Sequence, residues 1–277
     1  MSNLKLYKPT TPSRRKTSVI NYAEVLTGHK PEKSLLIRKK NRAGRNARGL
    51  ITVRHRGGGA RTLVRIINFK RRFPSGFKVQ TIEYDPNRTA FISLVTDVAT
   101  GVKSYVIYTK GMVVGETYLP DQLKDGNTIA LGDAPVGSFV SQIEINPGSG
   151  AKMVRSAGTY AIVTAKEGKY VTLKLPSGEI RKFLATSIGV VNRVANEAHG
   201  LVRVGKAGRK RHMGVRPTVR GKVMNPVDHP HGGGEARNSI GMAYPKTPWG
   251  KHALGVRTRD AKKQSSKFIV SRRPKNK

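Results

Sequence analysis

Like charges repel, and this chain carries an extreme excess of one sign: 53 Lys and Arg against 16 Asp and Glu, a formal charge of +37 over 277 residues. A compact body with that excess is destabilised by its own field unless an anion neutralises it. The excess is unevenly placed. Residues 1–72 hold 20 basic and 2 acidic groups and residues 201–277 hold 20 and 3, whereas 73–150 hold 5 and 8 and 151–200 hold 8 and 3. One basic run is usually a solvated face or an import signal, but two basic ends around a near-neutral centre imply a polyanionic partner.

The centre alternates apolar and polar residues with period two, as half-buried strands must. Strands are predicted at Phe77 to Tyr84, Ala90 to Val95, Val102 to Tyr108 and near Thr128 to Leu131, with Asp85-Pro86-Asn87-Arg88 as a turn. A second series follows at Gly137 to Ile145, Thr159 to Ala165, Tyr170 to Leu175 and Glu179 to Phe183. Short strands parted by Gly and Pro turns predict a mainly β chain of two small antiparallel barrels, the oligonucleotide-binding and SH3-like kinds being commonest at this size. The ends differ. From Arg38 to Gly49 every residue except Ala43 and Ala47 is basic, Asn or Gly, and Lys262 to Lys277 holds seven basic groups around Phe268-Ile269-Val270. Such segments cannot build a core alone, and both are expected to be extended arms that order on RNA.

Cysteine is absent, which excludes disulfide scaffolds, cysteine zinc sites and thiol chemistry and fits a reducing cytosol. No run approaches the roughly 20 apolar residues of a membrane span. Up to Thr17 the chain is rich in Arg, Lys, Ser and Thr without an acid before Glu24, as transit segments are, but Pro9 and Pro12 spoil the amphipathic helix such a segment needs.

Two glycine triplets stand beside side-chain donors: His55-Arg56-Gly57-Gly58-Gly59 and His229-Pro230-His231-Gly232-Gly233-Gly234. Backbone without Cβ can approach a phosphate and present its N–H groups, although a flexible linker has the same composition. Gly200 to Lys206 matches seven positions of the nucleotide-binding phosphate loop, but Ala207 stands where the magnesium-binding hydroxyl belongs. The segment then continues into the basic stretch Ala207 to His212, read as a loop making backbone contact to RNA, so NTP hydrolysis is not indicated. Asp228, His229 and His231 could supply three metal ligands or a general base held by an acid. Pro226 and Pro230 instead suggest an extended loop, Glu235 is the only other acid nearby, and nothing places Ser239 beside the histidines as a nucleophile. An enzyme using His229 as base and an architectural DNA-binding protein are the competing classes.

With these residues on the page the chain closely resembles the bacterial form of the universal large-subunit ribosomal protein number two. The resemblance runs through KPTTPSRR (Lys8 to Arg15), Gly44 to Arg71, EYDPNRTAFISLV (Glu83 to Val95), RSAGTYA (Arg155 to Ala161), GVRPTVRG (Gly214 to Gly221), MNPVDHPHGGGE (Met224 to Glu235), TPWG (Thr247 to Gly250) and KFIVSRR (Lys267 to Arg273). It is weakest at Leu184 to Ile188 and Ile240 to Pro245. It implies a basic extension over 1–60, an oligonucleotide-binding barrel over 61–130, an SH3-like barrel over 131–200 and a basic extension over 201–277 reaching into rRNA. The partners it implies are large-subunit (23S) rRNA, small-subunit rRNA across the subunit interface, tRNA indirectly and neighbouring ribosomal proteins, with no membrane and no cofactor beyond magnesium shared with rRNA. The implied role is structural, in subunit association, tRNA binding and organisation of the peptidyl transferase centre, in cytoplasmic ribosomes. By the same resemblance the reaction centre is expected to be RNA, with His229 in a positioning role near it.

The residues expected at rRNA are Arg54, His55, Arg56, Gly57, Gly58 and Gly59; Lys70, Arg71, Arg88 and Arg155 on the barrels; and Lys206, Arg209, Lys210, Arg211, Arg216 and Arg220. Further along they are Asp228, His229, His231, Gly232, Gly233, Gly234, Arg237, Trp249, Lys267, Arg272 and Arg273. Of the aromatics, Tyr84 and Phe91 lie in strand patterns and are expected in the core. Trp249, between Pro248 and Gly250, is the better base-stacking candidate.

Overall fold

The structure, a computed structural model, describes residues 3–28, 30–120, 122–235, 237, 239–260 and 262–273. The chain forms two units. One comprises the described residues of Met1–Lys40, Arg61–Ala207 and Lys267–Lys277; the other comprises those of Asn41–Ala60 and Gly208–Ser266.

In the first unit β1 (Leu4–Leu6) pairs with β2 (Ser18–Ile20), and β3 (Leu36–Arg38) pairs with β4 (Leu63–Arg65). Then come β5 (Phe77–Glu83), β6 (Ile92–Asp97), β7 (Lys103–Ile107) and β8 (Thr117–Tyr118), an antiparallel sheet in the order β7-β6-β5-β8. Both of its faces are buried. Ile92, Leu94, Tyr105 and Ile107 pack with Ile67 and Val194, while Phe77, Val79, Val95, Val106 and Tyr118 pack with Phe73 and Met112. A bulge between Val79 and Thr81 shifts the alternation of β5 by one residue, which sends Ile82 into a separate cluster with Ile20 and Phe91. Phe91 is core as expected, whereas Tyr84 lies just past the end of β5 and is 45% exposed.

The next elements are β9 (Thr128–Ala130), β10 (Phe139–Ser141), β11 (Ile143–Glu144), β12 (Ala151–Met153), β13 (Ala161–Glu167), β14 (Tyr170–Lys174), β15 (Ile180–Leu184) and β16 (Ile188–Val191), with β17 (Ile269–Ser271) far down the chain. Seven of them form one sheet in the order β17-β15-β14-β13-β10-β16-β9 around a core of Leu131, Val140, Ile143, Val163, Val171, Leu173 and Phe183. The single strand expected over Gly137 to Ile145 is broken: Gln142 has φ +50, and this kink hands the chain from the seven-stranded sheet to the β11–β12 pair. β9, grouped by sequence with the first barrel, pairs with β16 in the second sheet. β17 returns the basic tail to β15.

Glu144 is 1% exposed and, among the described residues, has no cationic partner; its carboxylate accepts the backbone N–H groups of Gly148 (3.0 Å), Gly150 (2.8 Å) and Ile188 (3.3 Å). It fixes the loop before β12. Glu144→Leu strands these donors and is expected to cost about 3 kcal/mol, at roughly 1–3 kcal/mol per unsatisfied buried group. Urea unfolding of the free protein checks this, and Glu144→Gln should recover part of the loss.

Candidate nucleic-acid interface

The segment Asn68 to Arg72 hydrogen-bonds to both the four-stranded sheet and the β11–β12 pair. The Asn68 N–H donates to Tyr105 O of β7 (2.7 Å), while Phe69 O accepts from the Ala151 N–H of β12 (2.8 Å). Asn68 Oδ1 also accepts the N–H groups of Lys70 and Arg71, each at 3.1 Å, an Asx-type turn. Phe69, thus fixed, meets two cations from separate motifs: the guanidinium of Arg88 lies 5.9 Å from its ring centroid and that of Arg155 4.8 Å. Arg88 is aimed by Asp85, which is fully buried and accepts its Nε–H at 2.5 Å through Oδ2, while Oδ1 accepts the Asn87 N–H at 2.8 Å. Thr89 locks the turns that carry the arginines: its Oγ1 accepts the Ala157 N–H (3.1 Å) and its carbonyl accepts Asn196 Nδ2 (2.6 Å). Two arginines 67 positions apart thereby form one cationic group on an aromatic floor, with Lys70 exposed on the same segment. Phe69, Asp85 and Thr89 escaped the sequence reading. An acid three residues before an arginine in a turn was the available signal for Asp85, while no local pattern marks Phe69.

Arg71 corrects the expectation that both basic residues after Phe69 face RNA. The Asx turn puts Arg71 at φ +47, and its side chain turns inward to 3% exposure. Its guanidinium donates to Gln142 Oε1 (3.2 Å) and Gly126 O (2.9 Å) and lies 5.4 Å from the Phe77 ring centroid. Burial without a carboxylate pulls its pKa down to about 9, with a smaller opposing contribution from Tyr118. It is still a cation at neutral pH.

Two readings of the segment after Gly200 also change. Ser18 Oγ accepts the Arg203 N–H (2.8 Å) and Ser18 N–H donates to Arg203 O (3.1 Å), so this backbone is joined to β2 and the Arg203 amide is not offered to phosphate. A Cβ on Gly205 would meet Thr17 Oγ1, so glycine here serves close chain packing. Ala207–His212 is a short α-helix, α1, and not a loop. Lys206 and Lys210 are exposed, whereas Arg209 and Arg211 are half-buried.

In the second unit the glycine triplets bring backbone against backbone. Gly57 N–H donates to Gly214 O (2.9 Å) and Ala60 N–H to His212 O (2.8 Å). A Cβ on Gly59 would lie 2.9 Å from Gly214 Cα, and one on Gly58 3.5 Å from the Arg211 guanidinium. His55 Nδ1 lies 3.1 Å from Pro217 O, and Arg56 bridges Val215. The second triplet folds back similarly. Gly232 N–H donates to His229 O (2.8 Å) and Gly233 N–H to Met224 O (3.0 Å), while a Cβ on Gly232 would collide with Asn225 backbone. Gly234 takes φ +69. The expected extended loop is thus a set of tight turns.

His229 is 8% exposed, its ring seated against Gly221, and its Nδ1 accepts the His231 N–H at 3.0 Å. His231 Nε2 in turn accepts the Lys246 N–H at 2.9 Å. Both acceptor nitrogens carry lone pairs, which assigns the neutral proton to Nε2 of His229 and Nδ1 of His231. Asp228 is exposed, and among the described residues no three His, Cys, Asp or Glu groups are placed to share a metal. Arg54, Arg56, Arg216, Arg220 and Arg237 are exposed, as are Lys267, Arg272 and Arg273 beside and after β17. Trp249 is 73% exposed in a turn closed by Gly250 N–H to Thr247 O (2.9 Å).

A Cβ on Gly221 would lie 2.5 Å from His229 Nδ1. Gly221→Ala is therefore expected to displace the imidazole at a local cost of about 1–3 kcal/mol. It should shift the His229 ring resonances and speed exchange of the Gly232 and Gly233 amides in NMR, leaving the barrel amides unchanged.

The family described as "Ribosomal Proteins L2, RNA binding N-terminal domain" matches residues 32–119, and "Ribosomal Proteins L2, C-terminal domain" matches residues 124–250. The first match holds the four-stranded sheet, Phe69 and Arg88; the second holds Arg155, the seven-stranded sheet except β17, and the His229 loop. The mainly β architecture fits an oligonucleotide-binding barrel followed by an SH3-like barrel.

Proposed function

The chain belongs to the ribosomal protein L2 family, whose members are RNA-binding structural constituents of the large ribosomal subunit, and from this premise we propose that it grips 23S-type rRNA in two ways. The barrels read RNA shape through the Arg88–Phe69–Arg155 group, while the second unit neutralises phosphates along its length. The observation that carries this reading is the convergence of two arginines on one half-buried aromatic, because a cation pair over a π face suits a backbone phosphate beside an unstacked base. Magnesium, where present, would be shared with rRNA phosphates.

In this reading the protein also supports subunit association, contact with small-subunit rRNA, tRNA binding and the order of the peptidyl transferase centre in cytoplasmic ribosomes. Peptide-bond chemistry rests with RNA, and His229 positions its loop. What supports positioning over general-base catalysis is the occupied lone pair on Nδ1, the proton assigned to Nε2 and the burial of the ring. His229→Gln should leave peptidyl transfer within about threefold in particles assembled to completion, since loss of a general base would cost at least about a hundredfold.

Filter binding of the full chain to large-subunit rRNA should weaken steeply with salt. Arg155→Gln should lower affinity about tenfold and reduce the log–log salt slope by about one. Trp249 is the only tryptophan in the sequence, so its fluorescence should be quenched as rRNA binds. Co-sedimentation through a salt gradient should keep the chain with the large particle; recovery as a free monomer from gentle lysate would overturn the reading.

A further inference from the structure

A cavity of about 540 Å³ opens beside the inward face of the Asn68 to Arg72 segment, walled by Phe73, Phe77 and Tyr118 on one side and Ile129 on the other. Its lining is mostly apolar, yet two of its residues hold buried polar atoms with no hydrogen-bond partner among the described residues: Nε of Arg71 and Oγ1 of Thr128. Among the described residues no carboxylate pairs with Arg71. A charged guanidinium against an apolar wall, an unused N–H and a left-handed backbone are unfavourable in the free protein, and such costs collect where a ligand offsets them. Arg72, Pro74, Pro120 and Thr186 stand exposed around the mouth.

We propose that this cavity receives one unstacked, carbonyl-bearing base of large-subunit rRNA. Its volume lies within the roughly 300–1,000 Å³ of small-molecule sites, enough for a single nucleotide. The base carbonyls would accept from Arg71 Nε–H and the Thr128 hydroxyl after small side-chain adjustments, with the base face on Phe73 and the prolines. The phosphate would lie at the mouth against Arg72. Uracil suits this best because both orphaned groups can donate and it offers two carbonyl oxygens, whereas adenine offers none. An acidic peptide would satisfy Arg71 but leave the aromatic walls unused. RNA is also favoured because Arg71, Arg72, Phe73, Pro74, Phe77 and Tyr118 all fall within the match to an RNA-binding domain. The site is separate from the Arg88–Phe69–Arg155 group, and the inference rests on the rRNA-binding reading above.

The test uses the full chain bound to large-subunit rRNA carrying 4-thiouridine, irradiated and digested, with cross-linked peptides read by mass spectrometry. Filter binding on the same samples reports whether rRNA is bound at all, so a failure of the general reading shows separately. Cross-links on peptides containing Phe73 to Phe77 or Tyr118 to Pro120 are expected. Thr186→Trp, which plugs the mouth from an exposed turn, should reduce them at least about tenfold while overall affinity falls less than about fivefold. Pro120→Trp does the same from the other wall should Thr186→Trp not fold, and Thr186→Ala should match the unsubstituted chain. Intact rRNA binding without cavity cross-links, or cross-links that persist in both plugged variants, would overturn the proposal. So would complete particles in which the cavity cross-links only to an acidic protein segment.

Discussion

Mutual repulsion among cations is the constraint that sorts this molecule. The six ion pairs between described residues all lie in the first unit, where the buried apolar side chains of the described residues and, by sequence, 13 of the 16 acids also fall. There, burial of alternating strand residues supplies the cohesion that ordinary domains have. In the second unit the cations have few acids to meet, and among its described residues only Gly57 and His229 are buried. Apolar cohesion is therefore nearly absent from it, and the anion that completes it lies outside the chain.

What replaces a core in that unit is contact of backbone with backbone. Gly59 lies against Gly214, Gly232 against Asn225, and Gly221 beneath His229, each at a distance that any larger residue would violate. Such contacts bury little apolar area but satisfy main-chain donors, leaving the long cationic side chains directed outward. The glycine triplets read from the sequence as phosphate cradles have this prior task, and what they offer a phosphate is a loop already shaped.

Legibility in the sequence followed the range of the interaction. Period-two alternation located β5, β6, β7, β9, β10, β13, β14 and β15, because burial on one face leaves a local trace, whereas β8 and β16 were not predicted. The charge partition located only part of the unit that lacks a core: most of the basic C-terminal third belongs to it, but of the basic residues 1–72 only 41–60 do, and the rest fold with the first unit. The breaks went unseen: the bulge in β5, the kink at Gln142 and the return of β17 to β15 depend on partners far along the chain. At the interface, Arg88 and Arg155 were legible as motif arginines, but their meeting at Phe69 was not, since the floor belongs to a third segment. Arg71 misled because the Asx turn at Asn68 reverses which of two neighbouring basic residues faces out.

The pairing of β17 with β15 makes residues 192–268 a bight anchored at both ends in one sheet. Closing so long a bight adds little entropy over a shorter one, because the penalty grows only with the logarithm of length. Its topology is more restrictive. While β17 stays paired with β15 the bight presents no free end, so nothing can be threaded onto it from the side of the tail. A polynucleotide laid across it would therefore hold it as a hook is held, and release would require either peeling the last strand from the sheet or lifting that polynucleotide away.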